Sequence, residues 1–587
     1  MTAARKKTIE DLTIALALGG GYVTWLLRTV SDLGYARDEG FYFQAASSYG
    51  RWFEQLLADP RAALGRRAVD AAWSANHEHP ALIKSLFALS STFLQKKWHL
   101  FAMEGTSYRF PAMALAGFAV ALIYLWGTEA RGRVTGVAAA LAFALMPRVF
   151  FQAHLACFDI PIVAMWTLGA YAYWRALKKG GILAPIAAGV AFGLALDTKH
   201  NSWFLPIACT AHFLALHAWH AMGRTRFADL LPRPAGEAPV RQRAFFALAA
   251  MGLVGPLVFW ALWPWIWRDP LARLREYALF HLNHEYYNME FLGKNYWVAP
   301  MPRGYAWLMT LGTVPGITLL LFAVGLATRG RAWIGGAVDR LRGRAATARV
   351  VDAAGTDLLW ILGLLVNYAA WLSPRTPIFG GTKHWMTAYP FLALFAGVGL
   401  DTIVRAARRE LFRLRRRAEA LRRLAASGWA AAAILGVTVA AAPLTETVRS
   451  HPWGLSAYTP LVGGAAGAAS LGLNRTFWGY TTGAVAPFLN AEAPRGGSVY
   501  IHDTAFQSWD MLQRDGRIRK DIRGVWSIAG ADLGLYHHEK HMLGQEYQNW
   551  VAFGTLRPAL IGGLDGVPVI VVYEDPKVRA RGQSQKP

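Results

Sequence analysis

The sequence predicts a mainly α-helical protein that crosses a membrane many times and carries a small α/β tail. Of its 587 residues 54% are hydrophobic and 17% charged, with mean hydropathy +0.24 and 25 tryptophans, unlike a soluble domain. Eleven apolar segments recur up to residue 443, most of them near the roughly twenty residues that cross a hydrocarbon core. Beyond 443 the chain turns to glycine-rich turns and short alternating runs.

The segments are 9–27, 108–127, 134–147, 157–175, 181–197, 202–221, 244–265, 305–328, 355–373, 385–404 and 426–443, the third being short. Lysine and arginine are retained on the cytoplasmic side of a membrane. The basic stretches Arg5 to Lys7, Arg131 with Arg133, Arg175 to Lys179, Arg224 to Arg243, Arg329 to Arg349 and Arg405 to Arg423 share one face if the N-terminus is cytoplasmic. The short opposite loops hold only Arg148, Lys199, Arg375 and Lys383. An odd number of spans then puts the tail outside. The first segment has a basic flank, but Leu26 to Val30 lacks a small-residue cleavage site, so it reads as a retained anchor.

The net charge of +24 sits largely in those short loops, which topology and anionic headgroups explain without nucleic acid. The run 405–423 fits a helix along the inner leaflet. Cys157 and Cys209 alone make no disulfide framework.

The chain therefore divides into a membrane domain, 1–443, and a soluble domain, 444–587. External loops 28–107 and 266–304 are long enough to build a site. In the first, Arg51 to Leu57 and His79 to Phe101 show helical spacing and predict amphipathic helices on the outer membrane surface. Trp263 to Trp267 reads as an interfacial aromatic belt. In the tail, SVYIHDT and VPVIVVYED predict strands, Tyr536 to His541 predicts a surface segment, and His502, His537, His538 and His541 match no metal motif.

Ionisable residues at a membrane edge tend to mark function, and here they gather on the outer side. Loop one gives Asp38, Glu39, His77, Glu78, His79 and Lys84, with Arg109 at the next span. Later outer turns give Arg148, His154, Asp159, Asp197, Lys199 and His200, then Arg268, Asp269, His281, His284, Glu285, Lys294, Arg375, Lys383 and His384. Such a set suits transfer of a group from a lipid phosphate: cations stabilise the departing phosphate and a carboxylate takes the acceptor proton. Each member also has a plainer reading. Asp38-Glu39 alone is a solvated turn, Arg109 a snorkelling anchor, Asp159 a helix-terminal charge, and Lys199 a partner of Asp197. Asn76 to His79 lacks the spacing of a zinc site. No spacing implies a metal or other cofactor, and a divalent ion near the phosphate is left open. The rival class is a transporter or lipid flippase, which tends to show paired repeats and mid-membrane polar groups.

Read together, the motifs resemble the dolichyl-phosphate-mannose protein mannosyltransferase family. The residues are external Asp38-Glu39, then His79-Pro80-Ala81-Leu82-Ile83-Lys84, then Tyr108-Arg109-Phe110-Pro111 at the second span. Outer Asp159 and the Thr198-Lys199 turn are similar to the wider C-type glycosyltransferases that use polyprenyl-phosphate sugars. WPWIWRDPLARLREY, HLNHEYYN and TKHWMTAYPFLALF look like bacterial family 39 members. Ala81 and Ile83 replace the family's Pro and Gly, no β-trefoil insertion follows the seventh span, and the tail is more like lipid A aminoarabinose transferases.

The resemblance implies an inverting glycosyltransferase at the periplasmic face of a bacterial inner membrane. Its partners would be a polyprenyl-phosphate-linked sugar donor, an acceptor protein, lipid or glycan, and membrane lipids. Carried over by position, Asp38 would be the general base and Glu39 would support substrate placement. Arg109 and Lys84 would lie near the carrier phosphate, with Lys199, Lys383 and Arg375 as further phosphate ligands on charge and side of membrane. His79, Asp159, His284 and Glu285 would support the site.

Overall fold

The computed structural model describes residues 3–221, 240–342, 348–414 and 428–584. Helices occupy all eleven predicted segments. Among the described residues seven are long and apolar enough to cross a membrane: Lys6–Asp32, Glu104–Arg131, Val240–Leu262, Gly316–Asp339, Asp352–Leu372, Met386–Leu411 and Ala432–Ser450. An eighth is a pair, Arg133–Ala144 and Pro147–Ala153, bent by 72° where Pro147 disfavours a helical predecessor. Leu183–Leu196 is apolar but shorter, and Asp159–Lys178 and Phe204–Ala221 are helical over 20 and 18 residues. The segment 305–328 is broken at Val314-Pro315 into Tyr305–Thr313 and Gly316–Leu341. The basic run 405–423 is helical to Leu414, and its remainder lies outside the described residues.

Small residues let the apolar helices approach closely. A Cβ on Gly19 would sit 2.6 Å from the Gly117 carbonyl oxygen, and one on Gly117 the same distance from that of Gly19. That contact fixes the first helix against Glu104–Arg131, which carries Arg109.

In loop one the first helix begins at Arg37, not at Arg51, and runs to Ala58. Asp38 and Glu39 thus lie in its first turn, where carboxylates complement the helix dipole. Glu39 accepts a hydrogen bond from the Ala36 amide at 2.8 Å, capping the start, and Pro60 ends the helix two residues beyond Ala58. Arg66–Trp73 and Leu82–Leu89 follow.

The tail forms a five-stranded mixed sheet. Its spatial order is Arg523–Val525, Ser498–Tyr500, Leu533–His537, Val567–Glu574, Leu560–Leu564, with the first two pairings parallel and the last two antiparallel. Both predicted strands are present. The surface reading of Tyr536 to His541 is corrected: Tyr536 and His537 end a fully buried strand held between two neighbours.

The tail does not stand apart. Tyr35, Phe43 and Trp73 of loop one share an apolar cluster with Leu489, Val499 and Leu535 of the tail. Trp263, Trp265 and Ile266 belong to the same cluster and are buried, which corrects the aromatic-belt reading. Trp263 packs on Tyr277 and Trp265 on His77, with ring centroids 5.2 and 4.7 Å apart. The run instead fills the joint between loop one and the helix Pro270–Leu282.

Candidate active site

Asp38 and Glu39 are neighbours in one helical turn, so their side chains leave in different directions. Glu39 turns inward and is fully buried. One of its oxygens accepts from Arg109 Nε at 2.7 Å and the Ala156 amide at 2.9 Å; the other accepts from an Arg109 Nη at 2.7 Å and from the Ala36 amide. Arg109 also donates to the carbonyls of Gly34 and Val30 and stacks over Tyr35, 4.3 Å from the ring centre. With 1% of its surface exposed, Arg109 is no snorkelling anchor, and its donors are directed at protein groups. The pair joins three elements: the start of the Asp38 helix, the second span, and the segment leading to Asp159.

Asp38 turns the other way. Its side chain keeps 26% of its exposure and stands 3.9 Å from Lys383 Nζ. Lys383 follows the Gly380-Gly381 turn and lies over the rings of Trp478 and Phe379, 4.1 and 5.2 Å from their centres. Burial pushes its ammonium pKa down, while Asp38 and then Asp159 oppose this. Lys199 is close by and pairs with Asp159 at 2.7 Å, not with Asp197. Asp197 instead accepts from the Ala81 amide at 3.2 Å, docking the His79 to Lys84 segment against the Lys199 turn. The structure thus brings Asp38, Asp159, Lys199 and Lys383 together from four separate segments.

The other predicted residues lie around this centre. Lys84 is fully buried and donates to the Asn76 carbonyl and amide oxygens and to the His79 carbonyl. It braces the turn that precedes it, and burial pushes its pKa down to about 7. His79 packs against Phe158 and His281, and its Nδ1 is buried without a partner. Burial, then Lys84, holds its pKa well below the usual imidazole range, so it is neutral. His284 stacks on Phe379 with centroids 4.6 Å apart. Glu285 and Arg375 are exposed at the rim. No group of histidines, cysteines and carboxylates among the described residues has the geometry of a metal site.

Sequence reading missed the tail's contribution. Arg37, beside Asp38, pairs with Asp503 at 2.8 Å, and its amide donates to the Trp478 carbonyl at 2.8 Å. Glu539 is buried near the same arginine, where burial and then Asp503 raise its pKa. Only Arg37 had a sequence signal, as the residue before Asp38; nothing in IHDT or YHHEK pairs those acids with loop one. The Asp503 carboxyl is pushed up to about 6, from 3.8, by burial, with Arg37 opposing. Folded protein therefore binds a proton that the unfolded chain releases, and this stabilisation is complete below about 3.8 and lost as pH rises through about 6. Melting of Asp503→Asn in detergent should accordingly fall less than wild type across that window. Parallel pH profiles for the two proteins would contradict it.

Residues 90–231 match the family model described as dolichyl-phosphate-mannose-protein mannosyltransferase. The sequence resemblance is therefore shown over the segment that carries Arg109, Asp159 and Lys199. No protein of curated function matches the chain. Among solved structures, ArnT from Cupriavidus metallidurans bound to undecaprenyl phosphate aligns with TM-score 0.44 and 14% identity, over 97% of this chain and 98% of its own. The archaeal oligosaccharyltransferase AglB from Archaeoglobus fulgidus, in complex with an inhibitory peptide and a dolichol-phosphate, aligns with TM-score 0.44 and 10% identity. That alignment covers 94% of this chain and 72% of AglB.

Proposed function

We propose that the chain is an inverting glycosyltransferase that moves a sugar from a polyprenyl-phosphate carrier onto an acceptor hydroxyl, at the periplasmic face of a bacterial inner membrane. The observation that carries this reading is the solvent-reachable Asp38 carboxylate 3.9 Å from the Lys383 ammonium, next to apolar helices and beside a segment that matches a family of sugar transferases. The acceptor hydroxyl gives its proton to Asp38 as its oxygen bonds to the anomeric carbon. The bond from that carbon to the phosphate oxygen breaks, and its electron pair stays on the phosphate. Attack opposite the leaving group inverts the centre.

Lys383 faces the charge that develops on the phosphate, and Lys199, held by Asp159, adds a second cation nearby. Arg109 and Lys84 act through what they hold: Arg109 fixes Glu39, and Lys84 fixes the turn before it. His79, His284, Glu285 and Arg375 shape the rim where substrates enter. A transporter has no need of a carboxylate and a lysine in this arrangement, nor of a soluble domain closing over them.

Purified protein in detergent, with no gradient, should release polyprenyl phosphate from a polyprenyl-phosphate sugar when given a hydroxyl acceptor. Recovery of the donor unconsumed, together with its movement across proteoliposomes, would support the flippase instead. Lys383→Ala should lower kcat by about a hundredfold or more, the scale for removing one stabilising donor, with its melting temperature unchanged. Full turnover by a well-folded Lys383→Ala protein would take the phosphate role away from this residue.

A further inference from the structure

Arg148 is 2% exposed, yet no carboxylate among the described residues pairs with it. Its Nε reaches the Ala457 carbonyl at 3.4 Å, its guanidinium lies over the Tyr458 ring at 4.8 Å, and Nη2 is buried with no hydrogen-bond partner. A buried cation without an anion is strongly unfavourable, so the geometry calls for a negative group from outside the chain. Room for one oxygen atom of such a group is present. A cavity of about 10 Å³ opens beside Arg148, bounded also by Asn288, Tyr305, Gly381, Tyr458 and Asn474. That volume admits a single oxygen-sized group. The Asn288 amide nitrogen on its wall is likewise buried without a partner, a second donor facing the same cavity.

The Gly380-Gly381 turn links this cavity to the centre described above. Both residues have positive φ, 69° and 65°, a conformation that favours glycine. A Cβ on Gly381 would stand 3.5 Å from an Arg148 Nη, and one on Gly380 would strike the Lys383 side chain at 2.5 Å. Arg148 and Lys383 therefore flank one bare turn. We propose that Arg148, with Asn288, binds one oxygen of a phosphate group whose remainder lies toward Lys383, the phosphate being that of the lipid carrier. The assignment to the carrier rests on the glycosyltransferase reading. The chemistry favours it, because bond cleavage turns a singly charged phosphodiester into a phosphomonoester with additional negative charge. Lys199 is already neutralised by Asp159, and Lys383 is shared with Asp38.

The experiment measures binding without turnover, so it is independent of whether sugar is transferred. The full-length protein in neutral detergent is titrated with farnesyl phosphate, inorganic phosphate and, at matched ionic strength, sodium chloride, with melting temperature as readout. Farnesyl phosphate should stabilise the wild type at concentrations at least tenfold below inorganic phosphate, and chloride should do little. Arg148→Gln should need at least tenfold more of either phosphate, and Asn288→Ala, a milder change kept in case Arg148→Gln does not fold, several-fold more. An undiminished phosphate response in both variants overturns the site. A chloride response equal to that of phosphate makes it a halide site, and equal affinity for the two phosphates removes the lipid carrier as its ligand.

Discussion

Asp38→Asn is expected to lower sugar transfer by about 10²- to 10⁴-fold, the usual contribution of a positioned general base, while leaving the fold intact. The amide is nearly the same size but cannot take the acceptor proton. Asp38 keeps 26% side-chain exposure, and although Lys383, 3.9 Å away, is buried, Asp159 remains to oppose the cost of its charge. The measurement is kcat with a polyprenyl-phosphate sugar, alongside melting temperature and donor binding. Wild-type turnover by a stable Asp38→Asn protein would end the assignment of Asp38 as base.

The largest effect on stability is expected one residue away. Arg109→Leu would leave Glu39 fully buried without its cation, and breaking one side of a buried pair typically costs about 3–5 kcal/mol. Little folded protein should survive extraction. Adding Glu39→Leu should restore part of the loss, because the stranded charge goes with it. A double-mutant cycle in melting temperature reads the coupling. Should Arg109→Leu instead melt like wild type and lose only donor affinity, the arginine would be a phosphate ligand and its pairing with Glu39 incidental.

This contrast between adjacent acids also marks the limit of the sequence. Apolar segments located the helices, because twenty-residue hydrophobic runs have few other uses. Loop charge predicted a direction for them, and Asp38-Glu39, Lys84 and Arg109 stood out as ionisable groups beside apolar segments. What no spacing carried was direction. Whether Glu39 or Asp38 faces inward depends on a helix that begins at Arg37, where apolar periodicity is weak and the start is made by a side-chain cap from Glu39 itself. Nor did charge alone separate Lys383, beside Asp38, from Arg375, exposed eight residues earlier. Trp263 and Trp265 misled because a tryptophan at a membrane edge and one in a joint between loops look alike until the partner surface is known.

The acids of the tail were the least legible, since Arg37 and Asp503 lie 466 residues apart. The same separation bears on how the protein is made. The start of the Asp38 helix is gripped by residues of the tail: Ser508 donates to the Ala36 carbonyl and Tyr35 donates to Asp515, while Arg514 pairs with Glu104 at the start of the next span. A ribosome has threaded nearly the whole membrane domain before any of these partners exists. Contacts so distant in sequence form late, so the tail's grip on this helix start is added to one that Glu39 already makes with Arg109, only 70 residues away.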